Sequence, residues 1–126
     1  MLESYFGDET RYLEEMRITI THGPQVAADD YEELRTLCLR LESFAQVADS
    51  FGRLHEIDNP HTIDEVVARL DGPMLSRWHR LWTGPRRKLP RRLRDLIEFL
   101  QSEMVMARNR IQGSLLYGVA SRREQM

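Results

Sequence analysis

The chain has 126 residues, of which 41% are hydrophobic and 30% are charged, so it has enough apolar material for one modest core beneath a polar surface. Its single cysteine excludes an internal disulfide, and no apolar run approaches the roughly 20 residues that span a bilayer. The first residues show no basic segment followed by an apolar one, as a secretory signal would. We therefore expect an intracellular, cytoplasmic domain with no membrane partner.

Charge is sorted along the chain. Residues 1–71 contain 16 acidic and 6 basic side chains, whereas residues 72–126 contain 4 acidic and 12 basic ones, so the net charge of −2 conceals two oppositely charged halves. Such asymmetry favours a charged partner: an acidic surface, a nucleic acid, or a second copy of the chain placed head to tail. The alternative is that both halves are merely solvated.

The first helix is predicted to follow a glycine stop. Residues 2–6 have the pattern of the end of an upstream helix, and Gly7 suits the position just past a helix end. Asp8 then fits the N-cap of a helix that reaches about Thr21.

The second helix shows sustained apolar periodicity. Asp29 and Asp30 are suitable N-caps, and apolar side chains then recur every three or four residues as far as Phe51, just before Gly52. One face of this helix is therefore predicted to be buried. Cys38 lies on that face, which favours a small core side chain over a nucleophile.

Two shorter helices are predicted next, over residues 62–70 and 73–82. The Asn-Pro pair at 59–60 favours a turn, and Thr62 with Glu65 matches a capping box. Pro73 suits the first turn of the following helix, since it needs no N–H there.

A fifth helix is predicted from about Pro90 to Asn109, again with apolar side chains at helical spacing. Beyond Gln112 the chain is expected to be a flexible tail, residues 113–126. The sequence thus predicts an all-α, compact bundle of about five helices over residues 1–112, with residues 1–6 as the end of an upstream helix.

No residue pattern indicates catalysis. His55, Glu56, Asp58 and His61 are close in sequence, but their spacing matches no standard metal site. The isolated glycines form no phosphate-binding loop. We therefore predict a protein that is not an enzyme, with no catalytic residue, no metal, no cofactor and no small-molecule substrate.

A tryptophan pair is the first candidate for binding. Trp78 and Trp82 are four residues apart and so share one helix face. Tryptophan is enriched at binding hot spots, although core packing is the alternative. The candidate interface residues, on the third and fourth helices, are Val66, Trp78, Leu81 and Trp82.

A basic segment is the second candidate. Basic side chains make salt-dependent contacts to phosphate. The candidate RNA-binding residues are Arg86, Arg87, Lys88, Arg91, Arg92 and Arg94. No aromatic ring lies within the segment, which weakens a model based on base stacking. A helix-turn-helix arrangement, with Arg77 and Arg80 on its second helix, is a further alternative.

Several stretches resemble one known family. They are the Gly-Pro-Gln-Val motif with the residues after it (23–30), residues 52–59, residues 70–75, Trp78, and the Asp-Leu-Ile-Glu-Phe-Leu run at 95–100. Together they resemble the Gag-like region of BEL/Pao-type retrotransposon polyproteins over most of residues 2–109. The Asp-Gly pair before Pro73 departs from the family's usual pattern.

The resemblance implies a fold and a role. The fold is similar to the C-terminal domain of retroviral and retrotransposon capsids. The implied role is structural: self-association into a homodimer or a capsid-like shell, in a retrotransposon or a domesticated Gag-derived protein, within virus-like particles in the cytoplasm. RNA contact through the basic segment, and an accessory domain that docks a charged partner, are the alternatives.

Overall fold

The computed structural model describes residues 2–84 and 89–124, with side-chain surroundings for residues 7–84 and 89–113. These residues form an all-α bundle of six helices and no strand, so the predicted fold class is confirmed. The helices are α1 (Leu2–Thr21), α2 (Tyr31–Ser50), α3 (Leu54–Ile57), α4 (Pro60–Val67), α5 (Gly72–Leu81) and α6 (Leu93–Glu124).

The predicted stop at Gly7 is wrong. Helix α1 continues through Gly7, and Asp8 lies inside it rather than at an N-cap. A glycine in a helix interior costs about 1 kcal/mol relative to alanine. The helical residues on either side of Gly7 outweigh this cost. Residues 2–6 therefore belong to the same helix as Thr21.

The predicted second helix is confirmed as α2. The Asp30 carboxylate accepts a hydrogen bond from the Glu33 N–H at 3.2 Å, and the helix ends at Ser50 before Gly52, whose φ is +70°. The apolar stripe is the centre of the core, packed between α1 and α6. Its buried side chains are Leu34, Leu37, Cys38, Leu41, Phe44 and Ala48.

The region around Pro60 differs from the prediction in two ways. The short helix α3 was not predicted, because four residues are too few to show a period. Asn59, not Thr62, caps α4: its side-chain oxygen accepts the Thr62 N–H at 3.0 Å. Pro60 occupies the first turn, and Thr62 is buried inside the helix.

The start of α5 follows the prediction. Asp71 is its N-cap, with the carboxylate accepting the Met74 N–H at 3.0 Å, and Pro73 lies in the first turn. Because proline has no N–H to lose there, the turn forms without an unsatisfied donor.

Helix α6 begins later and ends later than predicted. Its first N–H, on Leu93, donates to the Asp58 carboxylate at 2.7 Å, so a distant loop residue provides the cap. The helix passes through Gly113 and reaches Glu124, so the break expected after Gln112 is absent. The division into residues 1–112 and a flexible tail stays a prediction.

Candidate functional site

Three of the four candidate interface residues are core residues. The side chains of Val66 and Trp78 are fully buried and Trp82 is 7% exposed, so in the single chain none of them is available to a partner. Their apolar character reflects core packing, which is the alternative interpretation of the tryptophans. Leu81 differs, since 39% of it is exposed.

The tryptophans hold α5 against α6. The Trp78 ring packs edge-on against Trp82, with centroids 5.6 Å apart, and against Phe99 of α6, with centroids 5.4 Å apart. Such T-shaped pairs are a favourable aromatic geometry. Within the described part of the chain, neither buried indole N–H finds an acceptor.

A groove between α5 and α6, of about 440 Å³, is the best candidate for an interaction surface. Apolar side chains from both helices line it: Leu81 from α5, and Phe99 and Met106 from α6. We call it the α5–α6 groove, and its lining residues are Arg77, Arg80, Leu81, Asp95, Glu98, Phe99, Ser102, Glu103 and Met106.

A partly buried ion pair lines the groove. The Arg77 guanidinium donates to both carboxylate oxygens of Glu103, at 2.6 and 2.9 Å, and Glu103 has no exposed surface. The charge of Glu103 raises the pKa of Arg77, chiefly through these hydrogen bonds. The pair is internally neutral, so the charge that the groove presents comes from other residues.

Opposite charges remain on the two walls. Arg80 on α5 is exposed and forms no ion pair with any described residue. On α6, Asp95 accepts the Arg92 N–H, and Glu98 pairs with Arg94 at 3.2 Å while keeping 57% of its side chain exposed. The groove therefore has a basic α5 wall and an acidic α6 wall.

The sequence contains a partial signal for this groove. Arg77, Arg80 and Leu81 have helical spacing, and so do Glu98, Ser102 and Met106. Each set defines one helix face. Whether the two faces meet depends on how α5 packs on α6, and no local sequence pattern predicts that packing.

The candidate RNA-binding residues are divided by the structure. Arg91 lies 3.7 Å from the Asp64 carboxylate and stacks over Trp82, and Arg92 lies 3.7 Å from Asp58. With Arg94 on Glu98, every described member of the set faces a carboxylate. The other three, Arg86, Arg87 and Lys88, lie outside the described residues.

Two of the stretches that carry the Gag resemblance meet in space. Val26 and Leu70 form a parallel bridge, with the Val26 N–H donating to the Arg69 carbonyl at 2.7 Å. The Asp71 carboxylate that caps α5 also accepts the Ala28 N–H at 2.7 Å. The Gly-Pro-Gln-Val segment is thus fixed to the turn before α5.

A second, polar groove lies between α1 and α4. Arg17 hydrogen-bonds Glu14 and also reaches Glu65, while Arg53 donates to Glu56 at 2.6 and 2.9 Å. These hydrogen bonds lower the pKa of both Glu14 and Glu56 below the ordinary value of 4.5. Its arginines are already neutralised, so this groove is a poor anion site.

The same two pairs predict how stability changes in acid. Because the folded pKa values are depressed, the pairs stabilise the fold fully above pH 4.5, and this contribution disappears as the pH falls through the folded values. We expect the melting temperature to fall as the pH drops below about 4.5. Arg17→Gln should reduce this fall by a few degrees only, since Glu14 is exposed.

Thermal melts of the Arg17→Gln variant across this pH range are the measurement. Arg35→Gln is the matched control, because Arg35 is exposed and forms no ion pair with a described residue. An acid-induced fall in melting temperature that is identical for Arg17→Gln and the native chain would contradict the assignment.

The remaining candidates offer little chemistry. Burial raises the pKa of the Cys38 thiol to about 12, so it is protonated at neutral pH. Among the described residues, no three His, Cys, Asp or Glu side chains are grouped to hold a metal. None of the described helices is both long and apolar enough to cross a membrane.

Comparisons of the chain with protein-family models, with curated proteins and with solved structures found no match. The resemblance to Gag-like regions therefore rests on the residues quoted for it. Function has to be argued from the geometry of the surfaces.

Proposed function

We propose that this chain is a structural, Gag-like domain that associates with copies of itself, as capsid domains do. The observation that carries the proposal is the α5–α6 groove, which combines apolar side chains with a basic and an acidic wall. Apolar surface drives association, and complementary charge selects the partner. A chain that presents both signs of charge on one surface is a suitable partner for itself.

Leu81 was predicted from the sequence as an interface residue, and its position in the groove supports the proposal. It is the exposed member of the candidate interface set, and it lines the groove together with Met106, of which 38% is exposed. The groove is small, so we expect a dissociation constant between about 1 µM and 1 mM, within the range of weak, transient interfaces. Shells formed of many copies assemble from contacts of this strength.

RNA binding is the weaker candidate. Arg91, Arg92 and Arg94 already lie within 4 Å of carboxylates, and a phosphate would have to displace these. Displacing a carboxylate removes part of the electrostatic gain that drives RNA binding. Self-association through Arg80 needs no such displacement, because Arg80 has no ion pair with a described residue and Arg94 bonds only one carboxylate oxygen of Glu98.

A concentration series tests the proposal. Sedimentation velocity of the whole chain, from about 10 µM to 1 mM, should show a rising weight-average mass. Higher salt should lower it, because the charges on the walls are exposed and become screened. A monomer at every concentration, at low salt, would overturn the proposal.

Leu81→Asp sharpens the test. An aspartate among the apolar side chains of the groove should abolish association in this range while changing the melting temperature little, since Leu81 is already exposed. Leu39→Asp is the matched control: Leu39 is a leucine 49% exposed on α2, away from the groove. Equal loss of association in both variants would point to a different surface.

A further inference from the structure

We infer that the α5–α6 groove pairs with the same groove of a second copy across a two-fold axis, so that Arg80 of each copy meets Glu98 and Asp95 of the other. The inference rests on the proposed function and names the partner surface. It follows from three features of the groove: Arg80 on α5, which has no ion pair with a described residue, the exposed Glu98 on the opposite wall, and the apolar side chains on both walls.

Arg80 has no carboxylate within 4 Å among the described residues, although Asp95 and Glu98 line the same groove. Among the described residues, Arg77 of the α5 wall pairs with Glu103 of the α6 wall, whereas Arg80 remains without an acidic partner. An occupant of the groove can bring an acidic group to Arg80 and a basic group to the second carboxylate oxygen of Glu98, since Arg94 bonds only the first.

In a two-fold interface, each residue i that contacts residue j of the other copy is matched by j contacting i. When one groove has a basic and an acidic wall, the basic wall of each copy can face the acidic wall of the other. Each Arg80–Glu98 contact then occurs twice, so Arg80 of each copy gains the carboxylate that it lacks within its own chain.

Leu81 on α5 and Met106 on α6 are 39% and 38% exposed, which leaves apolar surface on both walls of the groove. Placing α5 of one copy against α6 of the other covers both. The Arg77–Glu103 pair joins the two walls within each copy.

The competing arrangement is head to tail, with the acidic first half of one copy against the basic second half of the next. Such a contact joins two different surfaces, so it continues from copy to copy into a ring or an open filament larger than a dimer. It makes no special use of Arg80 or Glu98. The size of the assembly and the effect of these two residues therefore separate the arrangements.

Charge reversal tests the inference with the whole chain. Arg80→Glu places two glutamates opposite two others, and Glu98→Arg places two arginines opposite two others. Each variant alone should weaken dimerisation by about tenfold or more, since every reversal acts twice in a two-fold interface. Sedimentation velocity gives the dissociation constants.

The decisive sample is an equimolar mixture of the two variants. In the mixed dimer, the glutamate introduced at position 80 of one copy faces the arginine introduced at position 98 of the other. The second contact joins the native Arg80 to the native Glu98, so both contacts are attractive. The mixture should dimerise within about threefold of the native chain. Misfolded variants would not recover on mixing, so recovery cannot come from a change in fold.

Arg11→Glu is the matched control, since Arg11 is an exposed arginine on α1 and the change in net charge equals that of Arg80→Glu. It should leave the dissociation constant within about threefold of native. Failure of the variants to recover on mixing, or assemblies larger than a dimer, would overturn the two-fold groove while leaving self-association intact. A native chain that stays monomeric would overturn both.

Discussion

Trp78→Ala should be the most destabilising single change in the chain, at about 3–5 kcal/mol. Trp78 is fully buried and packs edge-on against both Trp82 and Phe99, so its removal leaves a cavity where α5 meets α6. Domains of this size are stable by only about 5–15 kcal/mol, so the loss is a large fraction of the total. Chemical denaturation of the variant and the native chain measures it.

The indole N–H adds a second, sharper expectation. Trp78 Nε1 is buried with no acceptor among the described residues, so its burial costs free energy rather than stabilising the fold. Trp78→Phe keeps most of the ring contacts and removes that N–H. We expect it to cost about 1–2 kcal/mol, well below the cost of alanine.

Tyr12→Ala is the control for Trp78→Ala, because Tyr12 is a large aromatic residue that is 50% exposed. Its loss should change the free energy of unfolding by no more than about 0.5 kcal/mol. A cost below about 1 kcal/mol for Trp78→Ala would mean that the aromatic cluster does not hold α5 in place. A cost for phenylalanine equal to that of alanine would mean that the indole N–H has an acceptor after all.

The long helices could be predicted from the sequence because their apolar stripes repeat over many residues. The stripe from Leu34 to Ala48 specifies one buried face, and the structure buries it. Local end signals were less reliable. Gly7 has the chemistry of a stop, yet α1 continues, because a penalty of about 1 kcal/mol does not outweigh the turns on either side.

The start of α4 shows why two valid signals can compete. Thr62 with Glu65 fits a capping box, and Asn59 with Pro60 fits a cap followed by a proline in the first turn. The second prevails because Pro60 fixes its own φ at a helical value, and because Thr62 is then free to be buried inside the helix. Both choices obey the same local rules.

The site was harder to predict than the fold. An apolar residue on a short helix has the same appearance in the sequence whether it faces the core or a partner, so Val66 and Leu81 were indistinguishable. The α5–α6 groove also depends on pairs such as Arg77–Glu103, which lie 26 residues apart in sequence. Such pairs are fixed by tertiary packing rather than by any repeat.

Arg69→Met should be the second large loss, at about 2–4 kcal/mol. The Arg69 guanidinium is buried and has no ion-pair partner among the described residues, and burial lowers its pKa. It donates to the Ile20 carbonyl at 2.8 Å and to the Pro24 carbonyl at 3.2 and 3.3 Å. It thus satisfies the end of α1 and fixes the following loop to the turn before α5.

Methionine fills much of the same volume but donates no hydrogen bond, so it leaves both carbonyls without their partner. Methionine also avoids the free-energy cost of burying a charge. This offsets part of the loss and keeps the expected cost below that of Trp78→Ala. Arg35→Met, at an exposed arginine of α2, should change the free energy of unfolding by no more than about 0.5 kcal/mol. Denaturation of both variants provides the comparison.

Gly23 offers a way to show that the effect comes from this contact. A Cβ at Gly23 would lie 2.8 Å from Arg69 Nη2, so Gly23→Ala displaces the guanidinium in the native chain. In the Arg69→Met background that guanidinium is gone, and the same alanine should cost at least about 1 kcal/mol less. The φ of Gly23, +154°, contributes equally in both backgrounds and cancels from the comparison. Additive losses in the double variant would mean that Arg69 does not stabilise the fold through the loop at Gly23.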